Sequence, residues 1–260
     1  MEYRFLKVES HNRVQTITVN RPEVLNALNR QTVEELRGAF ERAADDQAVG
    51  AVILTGSGEK SFVAGADINE LSTQDPILGR EYALAGQRVF SLIETLGKPV
   101  IAAINGFCLG GGCELALGCH VRVAAETARL GQPEVKLGII PGYGATQRLA
   151  RLVGRGRALE LLLTGEMISA QEAHRIGLVN RVVPLSELTS AAEALAAAML
   201  KNAPLALRYC IEAVHHGAEM PLEEGLLLEA SLFALLCTSD DMKEGTRAFL
   251  EKRVANFRGH

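Results

Sequence analysis

The segment 98–134 constrains the fold more than any other part of the sequence. An apolar run, residues 100–104, is rich in Val and Ile and typical of a buried strand. The run ends at Asn105-Gly106, and three glycines, Gly110-Gly111-Gly112, then lead directly into Cys113-Glu114-Leu115-Ala116-Leu117. This order predicts a strand, a glycine loop and the start of a helix, with an acid in the first helical turn.

Strand patterns and helical patterns also alternate before this segment. Two runs of alternating polarity, residues 5–9 and 14–19, predict a hairpin. Helical periodicity covers residues 32–45 and 79–96, and the apolar run 51–54 between them is typical of a strand covered on both faces. The order of these elements predicts an α/β fold with parallel strand pairing.

Beyond residue 154 the pattern becomes almost entirely helical. Predicted helices cover residues 157–163, 169–175, 187–201, 204–216, 222–235 and 240–253. The only strand pattern in this part covers 178–183. We therefore predict two regions, an α/β core that carries the candidate site over residues 1–197 and a helical region over residues 198–260. The apolar helix faces of the second region indicate subunit contacts, although packing on the core of the same chain explains them equally well.

Composition and charge exclude several classes of protein. The chain has 260 residues, of which 48% are hydrophobic and 22% charged, as in ordinary folded domains. Its net charge of −4, without a block of like charge, argues against a protein that mainly binds nucleic acid. Five cysteines without CxxC spacing predict reduced, buried thiols. Because no signal-peptide pattern and no apolar run of about 18 residues occurs, the expected location is cytoplasmic.

The glycines do not form a nucleotide-binding motif. The sequence lacks GxGxxG spacing after a first strand and lacks GxxxxGK[ST] altogether. Glycines before a helix do leave backbone N–H groups open at the positive end of the helix dipole, where these groups can bind a negatively charged oxygen. Close packing of strand against helix is the alternative explanation. No HExxH motif and no cluster of His and Cys predicts a metal site.

Two glutamates near the glycines are candidates for acid–base chemistry. Glu114 has apolar neighbours, which predict a raised pKa, although an acid at a helix start also simply complements the helix dipole. Glu134 follows 20 residues later, at the end of Gly131-Gln132-Pro133. If both carboxyl groups reach one pocket, they can act as general acid and general base on a shared water. Asp67, by contrast, is interpreted as the N-cap of the next helix.

Several motifs of the chain together match one protein family. These motifs are Asn20-Arg21-Pro22, Ala64-Gly65-Ala66-Asp67-Ile68, Asn105-Gly106, Gly110-Gly111-Gly112-Cys113-Glu114-Leu115-Ala116, Gly131-Gln132-Pro133-Glu134, Pro141-Gly142 and Thr146-Gln147-Arg148-Leu149. In them the chain resembles the crotonase superfamily, and most closely the enoyl-CoA hydratases. The resemblance implies a crotonase-like spiral of repeated ββα units with a C-terminal helical trimerisation region. It also implies a homotrimer, or a homohexamer built as a dimer of trimers.

The resemblance further implies the activity of an enoyl-CoA hydratase. Such an enzyme adds water reversibly across the 2,3 double bond of a 2-enoyl-CoA to give a 3-hydroxyacyl-CoA. By resemblance, the backbone N–H groups of Ala66 and Gly111 form an oxyanion hole for the enolate. Glu114, as the ionised base, and Glu134, as the protonated acid, hold the water. No cofactor is implied, because coenzyme A is part of the substrate, and neither a nucleic acid nor a membrane partner is expected.

The resemblance also implies contacts with coenzyme A. The matching positions are Val24, Leu25, Ala64, Ala66, Asp67, Ile68, Asn69 and Gly111, together with Phe249 and Lys252, which reach the coenzyme A of a neighbouring subunit. Glu23 and Asn69 stand where related hydratases often have lysine, so Lys252 and nearby arginines are the expected phosphate partners. Tyr143 replaces a residue that is commonly small and is expected to reshape the acyl end of the pocket.

Two other kinds of function stay open. An isomerase or decarboxylase on the same fold would use the oxyanion hole with a single acid. An RNA-binding protein with this fold would need neither glutamate. The presence of both Glu114 and Glu134 favours hydration. The acyl chain length, the pathway, the choice between trimer and hexamer, and which glutamate is the acid and which the base are open.

Overall fold

Ten strands form two sheets within residues 3–260, the part of the chain that the computed structural model describes. The first sheet contains, in spatial order, β1 (Leu6–His11), β2 (Val14–Val19), β3 (Ala51–Gly56), β5 (Val100–Ile104), β7 (Val121–Ala125) and β10 (Arg181–Val183). The second sheet contains, in spatial order, β4 (Ser61–Val63), β6 (Phe107–Leu109), β8 (Arg129–Gly131) and β9 (Met167–Ser169).

Eleven α-helices accompany the sheets over the same described residues. They are α1 (Arg30–Asp45), α2 (Ile68–Leu71), α3 (Pro76–Glu94), α4 (Gly111–Leu117), α5 (Ala145–Val153), α6 (Arg155–Thr164), α7 (Ala170–Arg175), α8 (Leu188–Met199), α9 (Pro204–Gly217), α10 (Leu222–Leu236) and α11 (Asp240–Leu250). None of these helices is both long enough and apolar enough to span a bilayer.

A ββα unit repeats along the core. In each repeat one strand joins the first sheet and the next strand joins the second sheet, as β3 and β4 do, then β5 and β6, then β7 and β8. Helices α2 and α3 follow the first of these pairs, and α4 follows the second. Strands of successive repeats pair parallel, β3 with β5 and β4 with β6. The predicted α/β fold with repeated ββα units is confirmed.

The central strands of the first sheet are buried on both faces. On one face of β3, Ala51 and Ile53 pack against Ala192 and Ala196 of α8, while the other face belongs to the larger core beneath α1 and α3. A parallel strand covered on both sides is expected to be apolar throughout, as the sequence of β3 is. Helix α8 ends at Met199 and α9 begins at Pro204, so the proposed boundary after residue 197 falls in the last turn of α8. The division into two regions stays a prediction.

Local signals explain where the helices begin. Asp75 accepts hydrogen bonds from the N–H groups of Ile77 and Leu78, so α3 begins at Pro76, three residues before its predicted start. The prediction that residues 178–183 hold the only strand of the C-terminal part is wrong, because β9 also forms. This strand has three residues and exists by antiparallel pairing with β8, a partner remote in sequence.

The cysteines divide between core and surface. Cys108, Cys113 and Cys119 are buried as predicted, but the prediction is wrong for Cys210 and Cys237, which are exposed. Cys210 lies in α9 and Cys237 directly follows α10. Their apolar surroundings in sequence belong to helix faces that the rest of the single chain does not cover. Leu222 and Leu227 of α10, for example, are 76% and 69% exposed.

Candidate active site

Two backbone N–H groups from successive ββα units lie side by side. Ala66 follows β4, and Gly111 is the first residue of α4. The nitrogen of Ala66 lies 3.7 Å from the position that a Cβ on Gly111 would occupy. Among the described residues, neither N–H donates to a backbone acceptor. Two open donors on adjoining loops can bind a single oxygen atom.

The backbone on each side of Ala66 is fixed by a neighbouring segment. The N–H of Leu28 donates to the carbonyl of Gly65, and the N–H of Asp67 donates to the carbonyl of Leu28, both at 2.8 Å. Gly65 has a φ of +120°, a conformation that favours glycine. These bonds hold the loop so that the N–H of Ala66 faces α4.

Asp67 is engaged within its own loop. Its carboxylate pairs with Arg21 at 3.0 Å and accepts a hydrogen bond from the N–H of Asn69, the N-cap arrangement of α2. Burial acts to raise the pKa of Asp67, but Arg21 and the hydrogen bonds from Asn69 together hold it below its usual range. The interpretation of Asp67 as a helix N-cap is confirmed, and its carboxylate braces the loop that carries Ala66.

The three glycines at the start of α4, Gly110 as its N-cap and Gly111 and Gly112 as its first residues, have different surroundings. Gly110 has a φ of +50°, and a Cβ there would lie 2.6 Å from Oε1 of Glu134. A Cβ on Gly112 would overlap the carbonyl oxygen of Val63 in β4. Only Gly111 has room for a larger residue, and it supplies the open N–H. Both explanations offered by the sequence, close packing and free donors, therefore apply to the same loop.

Glu114 lies one turn into α4 with its side chain buried. It is 2% exposed, and its Oε1 accepts hydrogen bonds from the N–H groups of Tyr143 at 2.8 Å and Ala145 at 2.9 Å. Burial raises the pKa of Glu114 to about 7, with a further contribution from the nearby Glu134, although the N–H donors oppose the increase. A carboxyl group with this pKa can accept and release a proton near neutral pH.

Glu134 approaches the same glycine loop from the opposite side. It lies in the 3₁₀ helix Pro133–Leu137, is 9% exposed, and burial raises its pKa to about 7. The side-chain amide of Gln132, turned to donate, lies 3.2 Å from each carboxylate oxygen of Glu134. The two predicted glutamates thus lie at the same glycine loop, and the charge of Glu134 contributes to raising the pKa of Glu114.

The turn that binds Glu114 is itself braced from α3. Gln87 donates to the carbonyl of Gly142 at 2.8 Å, and Arg148 donates to the carbonyl of Tyr143 at 2.9 Å. Arg148 also forms an ion pair with Glu94 of α3 at 2.6 Å. Sequence reasoning missed this set of contacts. Arg148 belongs to a motif on which the family resemblance rests, but no local sequence pattern predicts that it pairs with Glu94.

The predicted coenzyme A contacts fall into two groups. Val24, Leu25 and Ile68 are 41%, 38% and 54% exposed beside the loop of Ala66, and the N–H of Ala64 donates to the carbonyl of Leu25. Phe249 and Lys252 lie at the end of α11 and just beyond it, where both are exposed. Among the described residues, no backbone hydrogen bond joins either of these two to the loop of Ala66 or to α4.

Comparison with known proteins identifies the family. The model of the enoyl-CoA hydratase/isomerase family matches residues 9–260, nearly the whole chain. The chain belongs to this family. The described residues hold no cluster of three or more His, Cys, Asp or Glu side chains arranged to bind a metal ion.

Relatives in the enoyl-CoA hydratase/isomerase family match the chain from end to end. It is 47% identical to a short-chain-enoyl-CoA hydratase of Clostridium acetobutylicum over 97% of both chains. It is 48% identical to a crotonyl-CoA hydratase of Syntrophomonas wolfei over 99% of both chains. The crystal structure of an enoyl-CoA hydratase from Bacillus anthracis has 41% identity and a TM-score of 0.95, with 99% of this chain and all of the other covered. The family and fold implied by the motifs are confirmed.

Proposed function

We propose that the protein is an enoyl-CoA hydratase that adds water reversibly across the 2,3 double bond of a 2-enoyl-CoA thioester to give a 3-hydroxyacyl-CoA. The observation that carries the proposal is a pair of buried glutamates, each with a pKa raised to about 7, beside two open N–H donors. Relatives of 47% and 48% identity named as hydratases of this kind support it.

The open N–H groups of Ala66 and Gly111 bind the thioester oxygen in this proposal. Hydration polarises the conjugated thioester, and negative charge collects on that oxygen in the enolate. Donors fixed in a buried position stabilise this charge without reorganising, and one such donor contributes about 10²–10³ in rate. Because the donors are backbone atoms, the small side chains at both positions leave space for the thioester.

The two glutamates divide the proton transfers. Glu114 is ionised, because two N–H donors stabilise its carboxylate, and it removes a proton from water as the oxygen adds to C3. Glu134 is protonated, because burial disfavours its charge, and it gives its proton to C2. Both carboxyl groups have a pKa of about 7, so returning the proton from Glu114 to Glu134 costs little. Because the two pKa values are nearly equal, the proton transfers can also run in the reverse direction, as dehydration requires.

Coenzyme A extends from the thioester toward the exposed residues. We assign Val24, Leu25, Ala64, Ile68 and Asn69 to contacts with it, and Asp67 to shaping the loop that it follows. Phe249 and Lys252 serve the coenzyme A of a neighbouring subunit in a homotrimer or homohexamer. The exposed apolar faces of α9 and α10 support such an assembly. The proposed enzyme uses no cofactor beyond the coenzyme A of its substrate and works in the cytoplasm.

Hydration of crotonyl-CoA tests the proposal. Purified protein is expected to remove the absorbance of the conjugated enoyl thioester and to form a product heavier by one water. An isomerase would instead convert a 3-enoyl-CoA into the conjugated thioester without a change in mass. Protein that binds a saturated acyl-CoA but hydrates no 2-enoyl-CoA of any chain length would disprove the hydratase assignment.

A further inference from the structure

We infer that the ring of Tyr143 forms the end wall of the acyl pocket and restricts the enzyme to short acyl chains. The inference rests on the proposed function, because it takes the thioester oxygen to lie at Ala66 and Gly111. It goes further by naming the residue that sets the substrate range.

The ring of Tyr143 fills the gap between α3 and α4. Its Cδ2 and Cε2 atoms lie 3.4 Å from the position of a Cβ on Gly111, so the ring adjoins the proposed oxyanion hole. On the opposite edge, a Cβ on Gly86 would overlap Cδ1 and Cε1. Phe90 meets the ring edge to face, with centroids 5.4 Å apart. The side chain is 2% exposed and has packed neighbours on three sides.

The backbone of Tyr143 is held as firmly as its ring. Its N–H donates to Oε1 of Glu114, and its carbonyl accepts from Arg148. The residue that supplies the wall therefore also binds the carboxylate proposed to activate the water that adds to C3. An acyl chain that continues beyond these carbons meets the ring of Tyr143 almost at once.

A larger space exists on the outer side of this wall. A cavity of about 780 Å³ lies between α1 and α3 and reaches Tyr143. Val33, Ala85, Val89 and Leu92 give it an apolar side, and charged side chains of α1, α2 and α3 line the rest. The ring of Tyr82 lines the same cavity, 5.2 Å from the ring of Tyr143. The fold thus contains room for a longer chain, and Tyr143 separates that room from the reacting carbons.

The hydroxyl groups of this tyrosine pair take no part in the wall. Within the described residues, the buried phenol oxygens of Tyr82 and Tyr143 have no hydrogen-bonding neighbour other than each other. Tyr143→Phe therefore keeps the obstructing ring and removes only a hydroxyl that faces Tyr82, which makes it a matched control for Tyr143→Ala.

The test measures kcat/KM for 2-enoyl-CoA substrates of four, six, eight and ten carbons with each variant. In the wild type, the ratio of ten-carbon to four-carbon kcat/KM is expected to be roughly a tenth or less, since a pocket that lacks room for added methylenes discriminates by about tenfold or more. Tyr143→Ala is expected to raise this ratio at least tenfold. Tyr143→Phe and Tyr82→Ala are expected to keep the wild-type ratio, because the inner ring stays in place.

Several outcomes would overturn the inference. Equal wild-type kcat/KM for four and ten carbons would show that no wall exists, while leaving hydratase activity intact. A Tyr82→Ala variant that hydrates the ten-carbon 2-enoyl-CoA would show that the ring of Tyr82, and not that of Tyr143, limits the acyl chain length. If the protein hydrates nothing, titration with butyryl-CoA and decanoyl-CoA applies the same test to binding. If Tyr143→Ala does not fold, Tyr143→Leu replaces it and is expected to extend the range to six and eight carbons.

Discussion

The two ends of the proposed substrate site differ in how completely one chain builds them. At the reaction end, Glu114 is 2% exposed and every group with a proposed chemical role lies within residues 66–134 of the core. At the coenzyme A end, Ile68 is 54% exposed and Phe249 is 83% exposed. All four groups proposed for the first end belong to one chain, whereas the second end presents apolar side chains to solvent.

The difference follows from what each end must do. Proton transfer at neutral pH needs carboxyl groups with raised pKa values, and burial provides them at both Glu114 and Glu134. Binding a large, charged and flexible ligand needs an accessible surface, which a neighbouring subunit can complete. Substitutions at the reaction end should therefore lower kcat, and substitutions at the coenzyme A end should raise KM.

The largest effect is expected from Glu114→Gln and Glu134→Gln. Each amide keeps the shape of the side chain but can neither accept nor donate the required proton, so kcat should fall about 10²–10⁴-fold. Affinity for butyryl-CoA, measured by titration, should stay within a few-fold of the wild type. Because the two residues act as a unit, the double variant should lose little more than the weaker single variant. A Gln variant that keeps the wild-type kcat but binds butyryl-CoA more weakly would show that this glutamate binds the substrate instead of transferring a proton.

An intermediate effect is expected when the Arg148–Glu94 ion pair, which braces the turn that binds Glu114, is removed. With one glutamate ionised and the other protonated, and both pKa values about 7, kcat/KM should peak near pH 7 and fall on both sides. The N–H bonds from Tyr143 and Ala145 lower the pKa of Glu114. Arg148→Met loosens the turn and weakens these bonds, so the pKa of Glu114 should rise. Since Glu114 acts ionised, the acidic limb should move up by about 0.5–1 pH unit.

Arg151→Met is the matched control for that measurement. Arg151 lies one turn later in α5 and pairs with Glu219 on the surface. Its loss should leave the pH profile unchanged. Equal changes in the two variants, or a lower rate with no shift of the acidic limb, would contradict a positioning role for Arg148.

The smallest effect is expected at the coenzyme A end. Lys252→Ala should raise KM for crotonyl-CoA about three- to tenfold and leave kcat unchanged, because an exposed charge contributes to binding phosphate but not to the reaction. The difference from the wild type should shrink as salt is added. Lys243→Ala, which lies in α11 and is paired with Asp240, is the control and should match the wild type. A fall in kcat in Lys252→Ala would contradict the separation of the two ends.

Much of the core could be predicted from local pattern. The central strands β3 and β5 have continuous apolar runs because both faces are buried, and Asn29 and Ser169 are cap residues where α1 and α7 begin. In the site, Glu114 and Glu134 stood out by type and surroundings. Their pairing with Ala66 and Gly111, however, came from resemblance, because no local signal reports which loops meet.

The features that local sequence patterns did not predict depend on contacts between residues remote in sequence. Strand β9 is three residues long and forms only by pairing with β8. Arg148 meets Glu94 across 54 positions of the chain. Exposure of Cys210 and Cys237 reflects surfaces that the single chain leaves uncovered, and periodicity cannot separate such a surface from a core.

The close packing of Gly86 against the ring of Tyr143 affects how the range of acyl chains that the enzyme accepts can evolve. A glycine in a helix interior lowers helix stability by about 1 kcal/mol relative to alanine, and in α3 it is required because the tyrosine ring occupies the space of a Cβ. A smaller residue at 143 removes that requirement, so alanine at 86 becomes acceptable and restores part of the stability lost with the ring. The two positions form a compensating pair through which a lineage can shift to longer acyl chains in two substitutions, provided that the ring changes first.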